Sequence, residues 1–315
     1  MRDWTEWGMR KRQLHFLTVS AVVLTVIFLG AVLTGCQQAA PTVTNGKKIH
    51  VATSLDFYGE AAKAVVGPYG DVTSIINSPS VDPDSYEPDT QSAKTVAKAN
   101  VIVQNGLGYD SWMNRLVKAN DKPEDDVITV GSLLGHHTGD NPHIWYAPEM
   151  MPKLVNQLVK QYSQLDPQHA AAFRRQGNAY LAKLTPVTTL QKSLRAKAAN
   201  QRIATSEPVA NYALTALGYQ IVDPHYEKAI EEGADPTPAD IKQVRGLIST
   251  HQIQFFVNNT QNTGASVTQL VQLANRSKTP VLRVTETLPK GKTYETWMLG
   301  MYRQIQKIQQ QGGAH

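Results

Sequence analysis

Three carboxylates and one histidine occupy comparable places in four separate segments of the chain. These residues are Asp84, His143, Glu207 and Glu286. Each lies at the end of an apolar, strand-like stretch or in the loop that follows one. Because ligands of open α/β sheets bind beyond the carboxyl ends of the strands, the four residues are candidates for one shared binding site.

Each segment also has an ordinary structural interpretation. The run Asp82-Pro83-Asp84 is typical of a surface turn shaped by proline. His143 alone is compatible with a packed loop histidine, and Glu207 with a carboxylate that complements a helix dipole. The prediction of a site therefore depends on the combination of segments and on no single one of them.

The elements that must position these residues alternate between strand-like and helix-like sequence. This alternation predicts parallel sheets with helices on their faces. A first series ends near residue 165, and a second series begins at Arg202. The stretch 166–199 between them is rich in helix formers, with one proline at position 186, and is compatible with one long helix or with two helices broken at Pro186. We predict an α/β fold with two Rossmann-like lobes, parallel sheets and a long rigid helix that joins the lobes, with the ligand site in the cleft between them.

The N-terminus predicts export. Arg10-Lys11-Arg12 precedes an apolar run and then Leu33-Thr34-Gly35-Cys36, the order found in a secretory signal peptide. Leu-Thr-Gly-Cys resembles the bacterial lipobox, and Cys36 is the only cysteine, so we expect it to carry a lipid rather than a disulfide. A retained membrane anchor is the alternative, and translation can start at Met1 or Met9. The predicted organisation is a signal peptide over 1–35, a lipidated cysteine and tether over 36–46, an N-terminal lobe over 47–165, a linking helix over 166–199 and a C-terminal lobe over 200–315.

Over residues 48–308 the chain resembles the zinc/manganese solute-binding lipoproteins of bacterial ABC importers, known as solute-binding protein family 9. The residues that carry the resemblance are 82–88, 105–109, 141–146, 206–208 and 285–289. It implies one metal ion in the cleft, with two ligands from each lobe. By position, the implied ligands are Asp84, His143, Glu207 and Glu286. The family usually has His where this chain has Asp84, so Asp82, Glu87 or a water molecule is an alternative ligand at that position.

The implied ligand set favours manganese, with zinc as the second candidate. One imidazole and three carboxylates form an oxygen-rich set, whereas zinc sites prefer nitrogen and sulfur donors. Three carboxylates against a dication leave the filled site near −1, which suits a hard cation. The expected ligand is thus Mn²⁺ or Zn²⁺ as cargo, with no catalytic cofactor.

Other functions are less well supported by the sequence. The net charge is +5, and no basic block with interleaved aromatic residues is present, so we expect no nucleic-acid partner. The sequence contains neither a His-Glu-x-x-His motif nor a Gly-x-Ser-x-Gly motif, either of which would indicate an enzyme. A surface adhesion lipoprotein and a binder of a metal chelate remain alternatives.

We expect an extracytoplasmic monomer, anchored by lipid to the cell membrane and partnered by the transmembrane permease. His136-His137 is interpreted as part of a solvated loop in preference to an auxiliary metal-collecting pair. For His225, a position that lines the cleft is the less favoured of two interpretations.

Overall fold

The computed structural model describes residues 48–198 and 200–312, so the predicted signal peptide, Cys36 and the tether lie outside the described residues. Two parallel sheets of four strands each form the fold. The first sheet consists of β1 (Ile49–Leu55), β2 (Gly70–Ile76), β3 (Val101–Gln104) and β4 (Val127–Thr129). The second consists of β5 (Arg202–Thr205), β6 (Gln220–Ile221), β7 (Phe256–Asn259) and β8 (Val281–Val284).

The two sheets have the same topology. Their strand orders are β2-β1-β3-β4 and β6-β5-β7-β8, and every pairing is parallel. The strand order therefore reverses between β1 and β3 in one sheet and between β5 and β7 in the other. Such a switch point leaves a crevice at the carboxyl ends of the strands, because successive connections leave to opposite faces. This arrangement confirms the predicted α/β class with parallel sheets.

Helices cover the faces of the sheets. In the first half they are α1 (Asp56–Val66), α2 (Thr90–Lys98), α3 (Ser111–Ala119), α4 (Val130–Leu134) and α5 (Met150–Leu165). The middle of the chain forms α6 (Ala170–Lys183) and α7 (Thr185–Ala198). The second half contains α8 (Asn211–Leu217), α9 (Pro224–Glu231), α10 (Pro238–Ser249), α11 (Ala265–Arg276) and the long C-terminal α12 (Tyr294–Gly312). In the part of the chain that is described, no helix is long and apolar enough to cross a membrane.

The segment predicted as a linking helix is helical but in two pieces. Helix α6 ends at Lys183, and α7 begins at Thr185, with Leu184 between them. Pro186 follows directly, and a proline has no N–H to donate to the preceding turn, which accounts for the interruption. The boundaries of the two lobes themselves stay a prediction.

One apolar cluster extends through both halves of the molecule. It includes Val51 and Ile102 of the first sheet, Val257 and Leu282 of the second, and Trp145 in the connection between them. All five are at most 3% exposed. A smaller cluster around Phe256 and Val244 lies on the other face of the second sheet. This shared core holds the strands of both sheets in place, and with them the residues at the strand ends.

Two helices were not predicted from the sequence. Helix α4 begins at Val130, directly after the apolar strand β4, and Gly135 ends it at φ +85°. Helix α9 was assigned to no element, although Pro224 at its first position and Gly233 just beyond its end are recognised start and stop signals. The second omission matters for the site, because α9 carries the buried Glu227 and the cleft residue Glu231.

Candidate metal-binding cleft

A cleft of about 870 Å³ opens at the carboxyl ends of the strands. Five of its lining residues are acidic: Asp82, Asp84, Glu207, Glu231 and Glu286. No Lys or Arg is among the described residues that line it. A concave surface with one sign of charge concentrates counter-ions, so this cleft attracts a cation.

The loop that carries His143 is fixed from both halves of the protein. The Asn105 amide, just after β3, donates a hydrogen bond of 3.0 Å to the carbonyl of Pro142. The Asn141 amide donates one of 2.8 Å to the carbonyl of Pro208, in the second half. The edge of His143 packs against the ring of Trp145, with centroids 5.1 Å apart. The imidazole is therefore held in place before any ligand arrives.

The orientation of His143 leaves one ring nitrogen free. Because the Asn141 side chain donates its N–H to Pro208, its Oδ1 accepts from His143 Nδ1, at 2.8 Å. Nδ1 therefore carries the hydrogen, and Nε2 carries the lone pair in the neutral ring. Nε2 is buried without a hydrogen-bond partner, 3.8 Å from Glu286 Oε1. An orphaned buried imidazole nitrogen beside a carboxylate is the arrangement expected of a metal ligand with its outer-shell partner in place.

The charges around His143 act on its pKa in opposite directions. Burial lowers the pKa of the imidazole, but the neighbouring carboxylates of Glu286, Glu231 and Glu207 outweigh burial and raise it above its ordinary value. Burial likewise raises the pKa of Glu286, and the contacts with His143 and Tyr109 reverse the direction and lower it. The raised pKa of His143 and the lowered pKa of Glu286 both favour an ion pair between the two side chains in the empty site.

Glu286 follows β8 and is held by residues of both halves. Its Oε1 accepts a hydrogen bond of 2.7 Å from the Tyr109 hydroxyl. Its backbone N–H donates to Gln261 Oε1 at 2.6 Å, and Gln261 also donates to the carbonyl of Pro79 at 3.0 Å. Burial and the charge of Glu286 raise the pKa of Tyr109 well above its usual value, so Tyr109 stays a donor.

Glu207 follows β5 and is the most firmly oriented of the carboxylates. Asn259, the last residue of β7, donates to its Oε2, and Asn262 donates to its Oε1, each at 2.6 Å. The residue is only 9% exposed. Two amide donors leave each oxygen one further lone-pair direction, so Glu207 can still ligate a cation.

The structure distinguishes among the acidic residues near the first implied position. Asp82 uses both of its oxygens within its own turn, accepting from the Asp84 backbone and the Ser85 hydroxyl. The side chain of Glu87 is 89% exposed and lies 3.9 Å from Arg115, away from the cleft. Asp84 lines the cleft, and burial together with Asp82 and Glu286 raises its pKa. Asp82 and Asp84 thus both line the cleft, and the carboxylate of Asp84 is the one that accepts no hydrogen bond from the described residues.

Glu231 is a cleft residue that the sequence prediction missed. It is the last residue of α9, and its Oε1 lies 3.7 Å from His143 Nδ1. Burial raises the pKa of Glu231 to about 7, against the opposing effect of His143. The signal that could have found it is the helix start at Asp223-Pro224, since a helix from there places Glu231 two turns further on.

Three of the predicted residues, Asp84, Glu207 and Glu286, line one cleft, and His143 lies buried beside Glu286, but the four do not form a closed cage. Within the described residues, no three His, Cys, Asp or Glu side chains are close enough together to hold one metal ion. His143 and Glu286 are neighbours, while Glu207 and Asp84 line the same cleft from other sides. The side chain of His225 lies outside this cleft, as expected, and His136 is near Asp140 on the surface loop.

Residues 51–308 match the family described as zinc-uptake complex component A, periplasmic. The chain belongs to this family. Members are solute-binding components of ABC metal uptake systems that act outside the cytoplasm, and they are not enzymes.

Individual members and folds agree with this assignment. The chain is 27% identical over 258 residues to the manganese-binding lipoprotein MntA of Halalkalibacterium halodurans, covering 77% of this chain and 81% of that protein. It is 28% identical to the manganese ABC transporter substrate-binding lipoprotein PsaA of Streptococcus pneumoniae, over 75% of this chain and 81% of the relative. The solute-binding protein FpvC of Pseudomonas aeruginosa, solved with Mn²⁺, has the same fold, with a TM-score of 0.67 at 20% identity over 85% of this chain and 100% of that one.

Proposed function

We propose that this family member captures Mn²⁺ in preference to Zn²⁺, with Asp84, His143, Glu207 and Glu286 as ligands, and delivers it to the transmembrane permease of an ABC importer. The observation that supports this most directly is the buried, unpartnered Nε2 of His143 beside Glu286. The acidic cleft around it has no Lys or Arg among its described lining residues. An anionic chelate would need such residues, so the bare cation is the better candidate.

The preference for manganese follows from the donor atoms. The proposed set has one nitrogen and carboxylate oxygens, and Mn²⁺ accepts oxygen ligands more readily than Zn²⁺, which favours nitrogen and sulfur. Affinity alone still rises from Mn²⁺ to Zn²⁺ at a given site, so the preference depends on geometry and on which metal is available. Two of the relatives described above are named for manganese.

Capture and release follow from the division of the ligands between the two halves. Asp84 and His143 come from the first half, and Glu207 and Glu286 from the second. A cation attracted to all four stabilises conformations in which the halves approach, and shifts the population towards them. Separation of the halves divides the ligand set, so the same division permits release at the permease.

A lipid on Cys36 would keep the monomeric metal-binding domain at the membrane beside the permease. A diacylglyceryl cysteine supplies more than one acyl chain, and a single chain would bind only marginally. Labelling cells with a radioactive or clickable fatty acid tests this part separately. The wild type should incorporate the label and Cys36→Ala should not.

Metal titration of the purified, metal-stripped protein tests the binding proposal. Isothermal titration with Mn²⁺ and Zn²⁺ should show one tight site in the wild type. His143→Ala and Glu286→Ala should abolish it, while His225→Ala, which changes an exposed histidine outside the cleft, should not. If the wild type bound neither ion, the proposed function would be wrong.

A further inference from the structure

Helix α9 places two acidic residues, Glu227 and Glu231, one turn apart on the same side. Glu227 is 8% exposed, and both of its oxygens accept from the Asn211 amide, at 3.0 and 2.9 Å. Glu231, four residues later, extends the same face to the cleft. Like charges at this spacing destabilise a helix, and burial adds to the cost, so the pair gains if a cation is present.

Glu231 differs from the neighbouring carboxylates in its hydrogen-bond partners. Glu207 has two amide donors, Glu286 has the Tyr109 hydroxyl, and Glu227 has Asn211. Among the described residues no hydrogen-bond donor is found for Glu231. Its closest polar neighbour is His143 Nδ1 at 3.7 Å, whose hydrogen is already directed to Asn141. A carboxylate whose side chain is only 28% exposed is thus left with its oxygens free.

Glu231 adds a further carboxylate to the cleft beside the imidazole of His143. The second ring nitrogen of His143, Nε2, is buried and has no hydrogen-bond partner. Its lone pair is therefore free to bind a cation. At the position where the family usually has a second imidazole, this chain has Asp84, which is shorter and exposed. Glu231 lines the same cleft, and its Oε1 lies 3.7 Å from Nδ1 of the same imidazole, so its side chain must turn towards the Nε2 side to join the ligand set.

We propose that Glu231 is a further ligand of the transported cation, and that this additional oxygen donor biases the cleft towards Mn²⁺. The inference rests on the proposed function. It predicts that Glu231 enters the first coordination shell as the cleft closes around the metal, in addition to Asp84, His143, Glu207 and Glu286. Hard cations such as Mn²⁺ bind more than four oxygen ligands. Tetrahedral Zn²⁺ gains little affinity from a fifth ligand.

Glu232 provides a matched control. It is the next residue, its side chain is 61% exposed, and it lies 3.7 Å from Lys228 and not in the cleft. The test compares Glu231→Ala and the nearly isosteric Glu231→Gln with Glu232→Ala in the full mature protein. Two quantities are measured: the Mn²⁺ and Zn²⁺ affinities, and the water-proton relaxivity of the Mn²⁺-saturated protein, which reports water bound directly to the ion.

We expect Glu231→Ala to weaken Mn²⁺ binding by at least about tenfold and Zn²⁺ binding much less. Relaxivity should rise, because water enters the vacated coordination position. Glu232→Ala should leave affinities and relaxivity at wild-type values. The Gln variant, which keeps one oxygen but loses the charge, should be intermediate in Mn²⁺ affinity and shows that the effect does not come from misfolding.

The outcomes separate the two proposals. Wild-type affinity and relaxivity in Glu231→Ala would overturn the inference and leave the proposed function intact. Weaker binding with unchanged relaxivity would assign Glu231 an electrostatic role only, and would also overturn it. Failure of the wild type to bind either ion would instead refute the proposed function itself.

Discussion

The Tyr109 hydroxyl donates a hydrogen bond of 2.7 Å to Glu286 Oε1, across the cleft and between residues 177 positions apart in the sequence. Tyr109 lies in the first half of the chain just before α3, and Glu286 follows the last strand of the second half. The contact thus links the two halves at the same carboxylate that lies next to His143. It orients a proposed ligand while the site is empty.

Tyr109→Phe should therefore weaken metal binding by roughly 10- to 100-fold, as loss of an outer-shell partner typically does. The ring and its packing against Trp145, with centroids 5.0 Å apart, are retained, so the fold should not change. Titration with Mn²⁺ measures the effect. Tyr86→Phe is the control, since the hydroxyl of Tyr86 contacts Ser92 and not a cleft carboxylate. Equal affinities of the two variants would show that this hydrogen bond has no role in binding.

Asn262→Ala should also reduce affinity, by about 10- to 100-fold, because Asn262 holds Oε1 of Glu207 at 2.6 Å. Without that donor the carboxylate can rotate away from the cleft. Asn275→Ala, at an exposed position of α11, should bind metal like the wild type. Mn²⁺ titration of both variants, with circular dichroism as a check on folding, distinguishes a loss of orientation from a loss of structure.

The two missed elements show what the sequence pattern could and could not predict. Apolar strands such as Val101–Gln104 are predictable, because an uninterrupted run of buried residues is visible in the local sequence. Helix α9 was missed because it has only eight residues, most of them polar, and its burial depends on contacts such as Asn211 with Glu227. Local pattern contains no information about such distant partners.

The same reasoning applies to the site. Residues at strand ends, such as Glu207 and Glu286, were predictable because parallel topology brings those ends together. Asn259, Asn262 and Tyr109 were not, since amides and hydroxyls are common in loops and nothing local indicates which carboxylate they contact. Glu231 was missed with its helix.

Metal affinity should fall as the pH falls through the neutral range. Nearby carboxylates raise the pKa of His143, and burial raises that of Glu231 to about 7. A cation must displace these protons, so affinity is highest where both groups are deprotonated and declines below about pH 8. Each displaced proton adds about one decade of affinity per pH unit. Titrations between pH 5.5 and 8.5 measure the slope, and His225→Ala should reproduce the wild-type profile. A flat profile would contradict the proposed role of His143.

The contribution of Glu227 should make the metal-free protein more stable in mild acid than at alkaline pH. Burial is the main reason why the pKa of Glu227 rises from 4.5 to about 7. The folded state then binds the proton more tightly than the unfolded state, so this contribution is complete below pH 4.5 and is lost as the pH rises through 7. The loss is up to ~3 kcal/mol of unfolding free energy.

Glu227→Gln should remove this dependence, because the amide keeps an acceptor for Asn211 and cannot ionise. Urea unfolding of the metal-free wild type and variant at pH 5 and pH 8 gives the comparison. The variant should gain stability relative to the wild type mainly at pH 8. Glu232→Gln, at a solvent-exposed site, should change neither value appreciably. An equal difference at both pH values would show that ionisation of Glu227 does not affect folding.

Asp84→His should shift the cleft towards zinc. Asp84 lines the cleft, and its side chain accepts no hydrogen bond from the described residues, so an imidazole can replace it without breaking a contact. A second nitrogen donor brings the set closer to what tetrahedral Zn²⁺ prefers. The ratio of Zn²⁺ to Mn²⁺ affinity should rise by about tenfold or more in competition titrations. Glu87→His adds an imidazole to the same loop at a side chain that is 89% exposed and near Arg115, and should leave the ratio unchanged. If both variants changed the ratio equally, the effect would come from added surface histidine, and position 84 would not contact the metal.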